Sequence, residues 1–70
     1  MNYLGVIEWD GNGHYLGSIP GLPDCRVDGA SLEDAQMRLR TRLHEVLTFR
    51  DGKVDGWPAL TWLVRRKAAA

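Results

Sequence analysis

Residues 32–49 carry the one long helical pattern in this 70-residue chain, and that pattern limits what the rest can fold into. Leu32, Ala35, Leu39, Leu43, Val46 and Leu47 recur at close to 3.6-residue spacing, so they fall within about a third of a turn of one another. Ser31 stands where a hydroxyl can accept from an unpaired amide of the first turn. Glu33 and Asp34 place negative charge at the positive end of the helix dipole. Gly52, after Asp51, suits the left-handed position that ends a helix. Met37, Arg38, Arg40 and Glu45 fall away from the apolar stripe, and Asp34 and Arg38 form a favourable i,i+4 pair. His44, among charged helix residues, is expected to face solvent. A lone helix with one apolar stripe must lay it on another layer, and a small sheet is the layer this chain can build.

The remaining segments supply strands. Tyr3 to Trp9 is rich in aromatic and branched residues and reads as the first. Tyr3, Gly5, Ile7 and Trp9 share one face, and Leu4, Val6 and Glu8 the other; both are partly apolar, so alternation does not choose the inner one. Asp10-Gly11-Asn12-Gly13 concentrates residues that tolerate positive φ and marks a hairpin. His14 to Ile19 then returns antiparallel. Pro20-Gly21-Leu22-Pro23-Asp24 is expected to stop regular pairing, because proline removes a ladder donor. Cys25 to Asp28 is a short third strand, and Ala59 to Val64 a fourth, with Leu60, Trp62 and Val64 on one face.

The expected fold is therefore α+β: a small antiparallel sheet of three to four strands with one helix on one face, in the order β-β-β-α-β. Hydrophobic residues at 44% and charged residues at 26% are ordinary for a globular chain. No apolar run approaches the roughly 20 residues of a membrane span, and no basic segment followed by an apolar one opens the chain. A cytoplasmic protein is expected. At this length one core supplies only about 3–5 kcal/mol. Trp9, Trp57 and Trp62 carry large burial gains that such a core cannot fully collect. With open sheet edges besides, a homodimer or higher even oligomer is expected.

The chemistry-bearing residues are sparse. A lone cysteine, Cys25, excludes an internal disulfide and a paired-cysteine zinc site, and it reads as a small buried hydrophobe. His14 and His44 have no ligand-spaced companions, so no metal or cofactor is expected. Gly11, Gly13 and Gly17 lie in a hairpin and not ahead of a helix, which removes the phosphate-cradling geometry. Arg38, Arg40 and Arg42 do not share one helix face. The formal net charge is zero, which argues against a broad nucleic-acid surface. The charges are nonetheless uneven. Residues 1–35 hold six acidic residues against Arg26 alone, and residues 36–70 hold eight basic against three acidic. Glu8, Asp10, Asp24 and Asp28 are the acidic group that could hold Mg²⁺ for phosphodiester cleavage, although turns and solubility account for most of them.

One long stretch carries a resemblance. It runs from Gly13-His14-Tyr15-Leu16-Gly17-Ser18-Ile19 through Pro20-Gly21-Leu22-Pro23-Asp24-Cys25 to Gly29-Ala30-Ser31-Leu32-Glu33-Asp34-Ala35. It is similar to the HicB antitoxin family, which shows a strand, a Pro-x-Leu-Pro-x-Cys segment, a short strand, and a Gly-[Asp]-Thr/Ser-x-Glu-Glu-Ala opening to its helix. Tyr3 to Glu8 resembles that family's first strand, and the likeness covers about residues 2–64. Two departures stand out: Gly21 and Asp24 exchange the residue types of the common Pro-Asp-Leu-Pro-Gly-Cys, and Ala30 replaces the acidic residue before the cap. Many family members also carry a C-terminal DNA-binding module, for which a chain ending at Ala70 leaves no room, so direct DNA binding is not expected.

The resemblance implies a partial ribonuclease-H-like fold without that enzyme's carboxylates, forming one HicB-like domain over residues 1–67 with a frayed tail at 68–70. It also implies a non-enzymatic role, the neutralisation of a basic HicA-type mRNA-cleaving toxin by covering its active site. Glu8, Trp9, Asp10, Asp24 and Asp28 are the expected partner-binding residues, the acidic ones because complementary charge speeds encounter. The alternatives are a stand-alone protein of this fold with a structural or other protein-binding role, and a small metal-dependent nuclease.

Overall fold

Local signals place the elements close to where the sequence puts them. The computed structural model describes residues 2–52 and 56–66; the tail expected at 68–70 lies outside them. The strands are β1 (Asn2–Trp9), β2 (Tyr15–Ile19), β3 (Leu22–Gly29) and β4 (Ala59–Arg66), and the helix α1 (Leu32–Asp51) falls between the last two. The Ser31 hydroxyl accepts from the Asp34 amide at 3.0 Å, the capping bond expected of it. At the other end, Gly52 takes φ 81° and its amide donates to the Thr48 carbonyl at 2.9 Å.

Two turns organise the sheet. Gly11 and Gly13, each at φ 86°, let the chain reverse between β1 and β2. The segment after β2 behaves differently from expectation. Pro20 and Gly21 form a two-residue corner, Gly21 at φ 87°, and Ile19 pairs directly with Leu22. Pairing therefore resumes at once, and Pro23 and Asp24 fall inside β3. Pro23 is tolerated there because β3 is an edge strand, and the register slips between Ser18 and Ile19 to accommodate the surplus residues.

The sheet order is β3-β2-β1-β4. It is mixed and not wholly antiparallel, because β4 pairs parallel to β1, with Gly5 opposite Trp62 and Glu8 opposite Arg65. The cause is topological. Two antiparallel steps make β1 and β3 run the same way, and a crossover through a helix returns the chain parallel to the strand it left.

α1 covers one face of the sheet. Ile7, Ile19 and Cys25 from the strands meet Ala35, Leu39 and Leu43 from the helix, all buried. Each large side chain among them contributes about 1.5–3 kcal/mol by leaving water. Ile7 thus settles the ambiguity in β1: the Tyr3, Gly5, Ile7, Trp9 face turns toward the helix. The helix start sits so close to β3 that a Cβ on Gly29 would stand 2.6 Å from the Ala35 backbone nitrogen. Leu32, expected in the stripe, is 36% exposed at the first helical position and lies outside the buried core. His44 also departs from expectation. It is half-buried with its ring centroid 4.7 Å from that of Trp57, an aromatic contact that covers part of the ring.

Candidate functional site

The uncovered face of the sheet is where residues from distant segments converge. By strand alternation Leu4, Val6 and Glu8 of β1 point away from the helix. They are joined there by Leu16 and Ser18 of β2, Arg26 and Asp28 of β3, and Leu63 and Arg65 of β4. Glu8, Leu16, Ser18, Arg26 and Asp28 line a shallow open hollow. Val6, in the sheet centre, is 5% exposed even without a layer above it, whereas Leu4 and Leu63 stand 43% and 44% exposed. The Glu8 carboxylate takes Arg65 Nε at 3.4 Å. Exposed pairs of this kind contribute about 0–1 kcal/mol to stability.

The other expected contact residues lie elsewhere. Asp24, exposed on β3, alternates with Arg26 toward the same open face, beside the register slip. Its carbonyl accepts from Arg42 Nε at 3.0 Å, which ties the β3 backbone to the helix. Trp9 alternates toward the helix side, at the end of β1. Its ring stacks on Tyr15 with centroids 6.2 Å apart, and the Arg66 guanidinium lies 5.4 Å from the ring centroid. Asp10 belongs to the turn: its carboxylate accepts from the Asn12 amide at 2.7 Å and the His14 amide at 3.1 Å, with His14 Nδ1 at 3.2 Å. The Asn12 hydrogen bond, with help from His14, holds the Asp10 carboxyl below the usual range. The structure therefore gathers Glu8, Asp24 and Asp28 on one face and leaves Trp9 and Asp10 at the hairpin end.

The UPF0150 protein of Archaeoglobus fulgidus, a curated relative, is 30% identical over 56 residues, 80% of this chain and 81% of the relative. The chain belongs to the UPF0150 family. That family is HicB-like, in keeping with the resemblance carried by residues 13–35. No family model matches the chain, and no solved structure matches it significantly.

In this UPF0150 member the acidic and basic halves of the sequence do not form opposed surfaces. Arg65 from the basic half neutralises Glu8 from the acidic half, and Arg26 alternates with Asp24 and Asp28. The open face is thus mixed in charge around an apolar middle. Leu4, Arg26, Leu63 and Arg65 were not singled out from sequence. The alternation of Asp24, Arg26 and Asp28 could have pointed to Arg26; Leu63 and Arg65 join the face only through the pairing of β4 with β1. Among the described residues, no three His, Cys, Asp or Glu side chains converge where a cation could be held. Among them also, no helix is long and apolar enough to cross a membrane.

Proposed function

We propose that this UPF0150 family member is an antitoxin-like binding module. It neutralises a HicA-type mRNA-cleaving toxin by occluding it, without catalysis of its own. Membership of a HicB-like family is the observation that carries this reading. The open sheet face supports it as the docking surface. It offers Leu4, Leu16 and Leu63 for burial, and Glu8, Arg26, Asp28 and Arg65 to orient a partner at its margins. Such charges set encounter rate and register more than affinity, while the apolar centre supplies the binding energy.

The test is co-expression with a HicA-type toxin from the same genome. The unaltered chain is expected to co-purify with the toxin and restore growth. Glu8→Arg combined with Asp28→Arg is expected to abolish both while the circular dichroism spectrum and melting curve persist. A folded chain that neither binds nor rescues overturns the reading. Rescue that survives the double substitution but fails with Trp9→Ala moves the docking surface to the hairpin end.

A further inference from the structure

The two edges of the sheet are built differently. β3 is blunted in the ways solitary edges usually are: Pro23 removes a donor, the register slips beside it, and Asp24, Arg26 and Asp28 line it with charge. β4 has none of these devices over residues 59–64. Ala59-Leu60-Thr61-Trp62-Leu63-Val64 contains neither proline nor charge, and it pairs with β1 through its whole eight-residue length without a slip. Its outer side meets no other strand among the described residues. Leu63 is 44% exposed on the open face, and Val64 is 48% exposed on the helix side, where α1 lies mainly over β3 and β2. A straight, uncharged edge with apolar side chains on both faces is a template for another strand.

We infer that β4 pairs antiparallel with β4 of a second copy of this chain, about a two-fold axis at Leu63. Charge selects this arrangement. Arg65 and Arg66 end the strand, and parallel pairing would set each beside its own copy. Antiparallel pairing about Leu63 instead places Arg65 opposite Thr61 and Arg66 opposite Leu60. The same register is self-complementary in shape: Leu63 meets Leu63 on the open face, while Trp62 meets Val64 and Val64 meets Trp62 on the helix side. Leu63 and Val64, both left exposed at the edge, each gain an apolar neighbour, and no like charges face one another. The two sheets become one of eight strands, with a helix layer on one side and the open faces continuous on the other. This inference does not depend on the toxin reading, because it concerns the chain alone.

Sedimentation equilibrium of the purified chain without any toxin tests it. The unaltered chain is expected near twice its 7.9 kDa mass at micromolar concentration. Leu63→Arg sets two cations together on the axis and is expected to give the monomer mass, with an unchanged helix signal in circular dichroism. A second variant reads the register. Leu63→Cys places two thiols on the axis, where paired Cα atoms lie about 4.5–5.5 Å apart, within disulfide reach. Mild oxidation is expected to yield a covalent dimer from Leu63→Cys and none from Leu4→Cys, which lies one strand further in on the same face. A monomer mass for the unaltered chain, a dimer that survives Leu63→Arg, or no cross-link from Leu63→Cys overturns the inference.

Discussion

The Trp62 ring occupies the space that a side chain on Gly5 would need: a Cβ there would stand 2.6 Å from Cζ3 and 2.7 Å from Cε3. β4 can therefore lie beside β1 with its tryptophan half-buried only because β1 carries glycine at that register. Gly5→Ala is expected to destabilise the fold by about 1–3 kcal/mol, the range for overpacking a well-filled site. Chemical denaturation measures it. Because the clash is with a side chain, pairing Gly5→Ala with Trp62→Leu should recover part of the loss relative to the sum of the single changes; strict additivity would show that the ring is not the obstacle.

Gly29 meets a harder neighbour. A Cβ there would come within 2.6–2.8 Å of Ala35 N, Cα and Cβ, atoms of the helix backbone and its first buried residue. No rotamer change relieves that contact, so the helix start must lift from β3. Gly29→Ala is expected to cost about 3 kcal/mol or more, and more than Gly5→Ala. Hydrogen exchange should show the first turns of α1 losing protection before the last. Equal or smaller destabilisation than at Gly5 would contradict this account.

The start of α1 also confers acid sensitivity. The Asp34 carboxylate accepts from the Ala30 amide at 3.0 Å and takes Arg38 Nε at 3.0 Å. The Ala30 hydrogen bond first, then Arg38, holds this carboxyl below its ordinary 3.8. A carboxyl lowered by folding contributes stability that is fully present above its unfolded value and is lost as pH falls through the folded one. Asp34→Ala should therefore be less stable than the unaltered chain at pH 7, with the difference shrinking as pH drops below about 4. Ser31→Ala removes the neighbouring cap, costing about 1 kcal/mol, and that loss should be nearly independent of pH. Melting curves from pH 2 to pH 7 separate the two.

Cys25 is fully buried, and burial pushes its thiol up from the ordinary value, with Asp24 adding to the effect and Arg42 opposing it. A thiol held protonated and out of solvent is a poor nucleophile. Alkylation at pH 7 should be slow in the native protein and become rapid only in denaturant. Cys25→Ala is expected to be tolerated better than Cys25→Ser, whose hydroxyl would sit in the core without a partner at a cost of about 1–3 kcal/mol. Rapid native-state labelling would contradict the buried placement.

The features legible from residue order alone are local. The cap at Ser31, the stop at Gly52, the glycine-rich reversal after Asp10 and the stripe of Ala35, Leu39 and Leu43 are each decided within a few residues, by φ preferences, side-chain hydrogen bonds and helical spacing. Those signals were enough for the order of elements and for the layer of helix on sheet. Tertiary structure decided which residues meet across long separations. That β4 enters beside β1, that Arg65 answers Glu8, that Trp62 rests over Gly5 and that His44 packs on Trp57 depend on pairings that no local pattern encodes. The expected contact residues divided on the same ground. Alternation within a strand puts Asp24 and Asp28 on one face, but only the register between strands sets Glu8 among them and leaves Trp9 and Asp10 at the hairpin end. Strand pairing is fixed by the burial of the whole sheet, in which every strand must turn its apolar face to one helix at once.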